Sequence, residues 1–482
     1  MRTLRFKSIF RIISLILIIL SVFLLLNGLL AFFMKEPVLP FLLASAFPLL
    51  IGLILLKTLS GDHEQSPMNR REACLAVTLS WILMSLTGCL PYLASGSIPD
   101  FTDAVFESVS GFTTTGASIL TDIESLPLSI LFWRSLTHWI GGIGIIVLVI
   151  IIMPHLKIGG YNLFTMESSL QEKIRPRVKS IGKRLLVIYT GLTIIEIILL
   201  LLGGMNLFES TCHAFGTIAT GGFSPKNTSI AGYSPYIQYV IMIFMLLAGT
   251  NFTIHYLLIK KDFARIRQND EFRFYLSVVC ITALIITGAL VIDAGIPLEP
   301  AFREGFFQTI SIITCTGFAT ADYLQWPVYA WMILFLSMFL GGSTGSTAGG
   351  IKMVRHLIAL RNVKLIFTRL NSPNAVLSVR LNRKVLSEES NNSVLTFIAV
   401  YLLIFAIGSI SLVLLGIDVS TAAGSVATCM AGIGPGIGSV GPASNFAHLP
   451  DAAKLVLSFL MITGRLEIYT VIILFSRNYW KV

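Results

Sequence analysis

Residues 101–118 read FTDAVFESVSGFTTTGAS. A dozen residues with helical character run into a Thr/Gly stretch, and the whole is too short to cross a bilayer, which takes about 20 apolar residues. Apolar runs near 73–94 and 128–153 flank it on either side. The same composite recurs three times: LFESTCHAFGTIATGGF at 207–223, AFREGFFQTISIITCTGFAT at 301–320, and VSTAAGSVATCMAGIGPGIG at 419–438. Aligned on their central glycines, Gly116, Gly221, Gly317 and Gly434, the copies are spaced by 105, 96 and 117 residues. Each interval holds one span, one half-helix and another span, so the unit is helix, re-entrant half-helix, glycine-rich strand, helix, used four times. An extended strand at membrane depth leaves its carbonyls without backbone partners. That is tolerable where they line an aqueous path or bind a ligand. Carbonyls from four such strands can replace the hydration shell of a cation, and glycine permits the backbone angles this requires. Each half-helix would also direct its negative C-terminal end toward the cavity.

Working outward, the 482 residues are 55% hydrophobic and only 12% charged, with a mean hydropathy of +0.81. Soluble chains carry about 25% charge, so a soluble enzyme is excluded. Ten spans are expected, near 12–34, 38–56, 73–94, 128–153, 185–204, 236–259, 274–293, 328–360, 394–416 and 452–475. With the N-terminus cytoplasmic, 29 of the 35 Lys and Arg residues face the cytoplasm and 13 of the 25 acids face outward. The net charge of +10 is then the positive-inside bias and not a nucleic-acid footprint. An outer face rich in acids attracts cations. The first apolar run is too long for a signal peptide and lacks a cleavage site. Six cysteines stand singly, with no metal-ligand or disulfide spacing.

The segments Thr114 to Ala117, Ala219 to Gly222, Cys315 to Phe318 and Ile433 to Gly436 resemble the four degenerate filter sequences of the Trk/Ktr/HKT superfamily of potassium transporters. The resemblance covers nearly the whole chain. Two helices before the first repeat and the Gly-Pro-Gly of the fourth strand point to its TrkH branch. It implies an all-α integral membrane fold with a pseudo-fourfold pore: an N-terminal two-helix segment (1–68), then repeats at 69–156, 157–262, 263–385 and 386–482. It implies K+ uptake across a bacterial inner membrane, dimerisation, and control by a cytosolic nucleotide-binding ring. Carried over by position, the coordinating backbone residues are Thr114, Thr115, Gly116, then Ala219, Thr220, Gly221, then Cys315, Thr316, Gly317, and Gly432, Ile433, Gly434. Because the four strands differ, passage of Rb+ and some Na+ is expected.

The eighth apolar run is broken by GGSTGSTAGGIK at 341–352. It is not a phosphate-binding loop, since Ile351 separates Gly350 from Lys352 and Met353 stands where Ser or Thr is needed. Close packing of small residues is one reading. The resemblance supports another, a gating loop beneath the filter that includes Gly345, Gly349 and Gly350. Arg465 lies in the last apolar run, where a cation costs about 2.5–3.5 kcal/mol on insertion scales. The resemblance makes it an electrostatic barrier under the filter, the alternatives being snorkelling or an ion pair with Glu196. Glu467, two positions on, is on the wrong face to pair with it. Glu107 is expected to help attract cations, and His138 to be a packed histidine. Basic segments 157–184 and 352–384 are candidate docking surfaces for the ring, with lipid headgroups as the competing partner. No residues form a nucleophile, base and orienter, so no catalysis and no catalytic cofactor are expected. A Na+-coupled or low-selectivity carrier of the Ktr or HKT type is the alternative function, and a membrane-embedded enzyme a remoter one.

Overall fold

The computed structural model describes residues 5–58, 69–147, 174–372 and 377–480. Six helices are long and apolar enough to span a membrane: Phe6–Phe33, Leu39–Thr58, Arg71–Ala94, Gly182–Leu202, Asp270–Ile292 and Glu388–Leu414. Along Glu388–Leu414, Leu402, Leu403, Ile407 and Ile410 are all exposed, and leucines and isoleucines in that position belong against lipid. The first two helices pack side by side, and the first also meets Arg70–Gly88 and Leu128–Val147. Residues 148–153, which complete the expected fourth span, lie outside the described residues, as does most of the basic segment 157–184.

Two of the expected spans are not continuous. Pro235–Ala248 and Phe252–Ile259 meet at 101°, and Asp451–Arg465 meets Tyr469–Phe475 at 109°. The first bend falls at Gly249, Thr250 and Asn251, where the Asn251 carbonyl-bearing side chain accepts from Thr253 N and starts a new helix. The second uses left-handed backbone at Glu467 and Ile468 (φ 60° and 44°). Each bend takes only three residues, Gly249 to Asn251 and Leu466 to Ile468, within a long apolar run, so averaged hydropathy reads both as straight. The eighth run is interrupted as expected, between Val328–Ser337 and Met353–Asn371. An antiparallel two-residue hairpin, Arg380–Leu381 with Lys384–Val385, adjoins the latter helix on the side of the basic segments.

The four half-helices are Phe101–Phe112, Leu207–Ile218, Leu298–Ile313 and Val419–Ala431, called half-helices 1 to 4 below. Asp100, Asn206 and Asp418 cap the first, second and fourth by accepting a backbone N–H from Asp103, Glu209 and Thr421. Pro297 starts the third without a side-chain cap. Every residue from Ala104 to Phe112 is buried, as is every residue from Gly424 to Ala431, so these short helices are enclosed by protein on all sides. Half-helix 2 packs on Leu128–Val147 and half-helix 3 on Pro235–Ala248, each the inner helix of the preceding repeat. Half-helix 1 packs on Asp451–Arg465, the inner helix of the last. Half-helix 4 packs chiefly on Glu388–Leu414 and Asp451–Arg465 of its own repeat.

Candidate functional site

Each half-helix ends in the same turn. Its second residue past the helix, or its first in the fourth repeat, is left-handed: Thr114 (φ 52°), Thr220 (52°), Cys315 (57°) and Gly432 (72°). The following N–H then reaches back five residues, Thr115 to Ser110 O (2.9 Å), Gly221 to Gly216 O (2.7 Å), Thr316 to Ser311 O (2.8 Å) and Ile433 to Thr428 O (3.0 Å). These are the six-to-one bonds of a helix C-cap usually built on glycine. A left-handed L-residue costs about 1–2 kcal/mol, and a β-branched one is an outlier there. Three of the four turns are thus held in place by their surroundings.

A second left-handed residue follows in every strand: Gly116 (φ 80°), Gly222 (83°), Gly317 (83°) and Gly434 (99°). This sets the register. The second strand is Thr220, Gly221, Gly222, one residue later than the alignment on Gly221 expects, and Ala219 is the last helical turn residue beneath it. The adjacent glycines of Gly221-Gly222 hide the shift from sequence. A Cβ on Gly116 would fall on the carbonyl oxygen of Gly221, one on Gly222 on that of Thr316, and one on Gly317 on that of Ile433. A Cβ on Gly434 would lie 3.0 Å from the carbonyl oxygen of Thr115. The first three glycines lean on the middle carbonyl of the next strand, and Gly434 leans more loosely on the carbonyls of Thr115 and Gly116 in the first. Twelve backbone positions, Thr114 to Gly116, Thr220 to Gly222, Cys315 to Gly317 and Gly432 to Gly434, thus surround one axis.

The strands beyond the glycines are anchored differently in each repeat, at corresponding places. In the first, Glu107 is wholly buried and accepts from Ser118 Oγ and Ile119 N, each at 3.0 Å, and from Arg134 Nε at 2.5 Å. Arg134 in turn donates to Ser224 O (3.0 Å) and stands 3.7 Å over the Phe223 ring. Glu107 is accordingly a neutralised strut between the first two strands, not a free attractor of cations. His138 completes this junction. Its Nδ1 meets Gly111 O at 2.7 Å, its Nε2 accepts from Phe223 N at 3.2 Å, and its ring stacks on Phe223. His213 takes the place of Glu107 in the second repeat and meets Ser224 Oγ at 3.1 Å. Gln308 takes it in the third, donating to Ala321 O. In the fourth, Tyr323 of the neighbouring repeat donates to Gly436 O. Phe446 N to Ser118 O (2.9 Å) joins the fourth repeat to the first.

Outside the strands, Lys226 bridges Glu124 (3.3 Å) and Glu209 (3.4 Å). The Glu124 carboxylate raises the Lys226 pKa above its usual value, with Glu209 adding to it. At Asp418 the hydroxyl of Ser420 and the N–H of Thr421 hold the carboxyl down to about 2.

Beneath the strands lies the loop of residues 341–352. Thr347 Oγ1 donates to Ile218 O (3.0 Å) at the end of half-helix 2, and Gly349 packs so closely on Ala431 O, at the end of half-helix 4, that a Cβ there would overlap it. Ser343 N donates to Gly249 O (2.9 Å) and Phe252 N to Gly345 O (3.1 Å). The bend in the second repeat thus supplies the groups that hold the loop. Gly345 and Gly350 are left-handed, at φ 76° and 74°. Arg465 is buried, at 6% exposure, with Nη1 donating to Thr347 O (2.7 Å) and Nη2 to Gly141 O (3.3 Å). It bonds carbonyls of the loop and of the first repeat, not Glu196. Glu467 pairs instead with Arg355, and Lys352 Nζ donates to Ala348 O within the loop.

The sequence model of the family described as TrkH, cation transport protein, matches residues 44–482. The chain is 36% identical over 488 residues to the Trk system potassium uptake protein TrkH of Salmonella typhimurium, covering 99% of both chains. It is 37% identical over 421 residues to the Trk system potassium uptake protein TrkG of Escherichia coli, covering 86% of each. Its fold superposes on the crystal structure of the potassium transporter TrkH from Vibrio parahaemolyticus with a TM-score of 0.91 at 32% identity, over 99% of this chain and 100% of that one.

Proposed function

The chain belongs to the TrkH family of cation transport proteins, and from that premise we propose that it carries K+ into the cell through the ring of four strands. The observation that carries the proposal is the cyclic packing of Gly116, Gly222, Gly317 and Gly434 on the carbonyls of the next strand. Such packing fixes carbonyls around an axis, and carbonyls so fixed replace water around a dehydrated cation. The coordinating positions are Thr114, Thr115, Gly116, Thr220, Gly221, Gly222, Cys315, Thr316, Gly317, Gly432, Ile433 and Gly434. The C-terminal ends of the half-helices add negative potential below them.

The loop holding Gly345, Gly349 and Gly350 closes the path under the strands in this reading. Arg465 places a guanidinium on that path, where it opposes a passing cation. The bacterial inner membrane, with the N-terminus cytoplasmic, is the setting that the charge distribution favours. A cytosolic nucleotide-binding ring would meet Lys364, Arg383 and Lys384, which are exposed at the end of the molecule that carries the hairpin, and a second copy of the chain would complete a homodimer. Relatives are named as transporters, in keeping with a chain that performs no catalysis.

Expression in a bacterium lacking K+ uptake tests the reading. The chain should restore growth at low external K+, and Gly317→Ala should not, although it reaches the membrane. Failure of the parent chain to restore growth at normal expression would overturn it. Non-identical strands, two of them without a Thr beside the second left-handed glycine, favour a second reading of weak discrimination against Na+. Na+ to K+ flux ratios in vesicles separate the two.

A further inference from the structure

One carboxylate holds both stems of the loop. Glu271, 1% exposed in the first turn of Asp270–Ile292, accepts through Oε1 from Thr344 N at 2.7 Å and from Val354 N at 3.1 Å. Thr344 is on the rising stem and Val354 begins the helix that follows. The first N–H groups of a helix lack intrahelical partners, and Lys352, at the cap position of Met353–Asn371, makes no side-chain capping bond. A carboxylate from another helix therefore does the work of the cap, at the positive end of the helix dipole. A backbone bond from Met353 N to Gly342 O (3.0 Å) lies beside it. The preceding residue, Asp270, faces the other way: its Oδ2 accepts from Arg361 Nη2 and from Asn382 N, each at 2.9 Å. Two consecutive acids on one rigid turn thus tie the neck of the loop to the helix and hairpin on the side of the exposed basic residues.

We propose that Glu271 is the positioning residue of the gating loop, holding it closed at its neck, and that Asp270 beside it links that neck to Met353–Asn371 and the hairpin. The proposal rests on the reading of the loop as a gate. A partner that displaces the helix or the hairpin works against Asp270, and the loop leaves the axis only when the Glu271 bonds to its stems are lost.

The test is rubidium uptake by the full chain reconstituted in vesicles of phosphatidylethanolamine and phosphatidylglycerol. Hydrogen bonds to a charged group are strong enough that losing both should raise flux about tenfold in Glu271→Ala. Glu271→Gln keeps an acceptor oxygen and should stay near the parent. Val354→Pro, tolerated in the first turn of a helix, removes one donor from the loop side and should raise flux in the same direction. In a chain lacking residues 345–349, Glu271→Ala should add nothing. An unchanged flux in both Glu271→Ala and Val354→Pro, or a further rise in the deleted background, would overturn the proposal. If deletion alone leaves flux unchanged, the gate reading fails and the proposal with it.

Discussion

The outer and inner halves of the four repeats are built on opposite plans. Outside, four half-helices end in one turn with one pattern of backbone bonds, and each strand leans on the next around the ring. Inside, the four helices that follow take three different forms. Leu128–Val147 runs on past Gly141 and Gly142, the second bends by 101°, the third opens into a loop, and the fourth bends by 109°. The proposed coordination of an ion would ask the same of every side, which accounts for the common form there. Obstructing a path needs only one segment, and the others are free to become its supports: Gly249 accepts from the loop, Arg465 donates to it, and Gly141 receives the other end of that arginine.

The contrast can be broken most directly by removing residues 345–349. Rubidium flux into vesicles should rise at least tenfold, roughly what the loss of one or two kcal/mol of closure allows, while Na+ to K+ ratios stay at the parent value because the strands are untouched. A changed ratio would mean that the two halves are not separable. Next, alanine at Gly116 or Gly222 should cost selectivity to a similar degree, about tenfold, each combining left-handed strain with overlap on a neighbouring carbonyl. One position that keeps parental ratios would show that the ring is not equivalent on all sides. Gly116→Ser should act in the same direction. Arg465→Ala should then produce a leak of a few-fold, smaller than the deletion because the loop remains, and Arg465→Lys should leave less of it by keeping the charge. Equal leaks from the two would assign the effect to lost hydrogen bonds and not to the electrostatic barrier.

The smallest effect is expected at Asp418. Its folded pKa is depressed, so the stability it contributes is present above the unfolded carboxyl value, near 4, and is lost only as pH falls through about 2. Between pH 5 and 8 its contribution is therefore constant, and the melting temperature should not vary with pH on its account. Asp418→Ala should lower the melting temperature by the roughly one degree that a lost cap of about 1 kcal/mol implies in a chain of this length. Asp418→Asn, also a good cap, should not. A pH dependence in that interval that disappears in Asp418→Ala would contradict the assignment.

Much of this was legible in the residues. Repetition of a half-helix with a Thr/Gly stretch located every strand. What escaped was set by contacts that leave no local mark. Gly221 and Gly222 are adjacent, so only backbone geometry chooses between them. Glu107 finds Arg134 on another helix 27 residues on, and nothing in the half-helix announces a partner. The bends at Gly249 and Glu467 occupy only a few residues, some of them polar, inside long apolar runs, too short to mark a break in averaged hydropathy. Glu271 reads as an ordinary acid in a helix's first turn, because both of its donors are backbone groups more than 70 residues away in sequence.

The contact from Gly434 back to Thr115 also has a bearing on how the protein is made. The strand that completes the circle belongs to the last repeat to leave the ribosome, and so does Phe446, which bonds Ser118 in the first. A nascent chain that has inserted three repeats has one side of this ring missing. The ring of strands is thus complete only once the last repeat has packed on the first, and a chain shortened before Gly432 has no fourth side to offer.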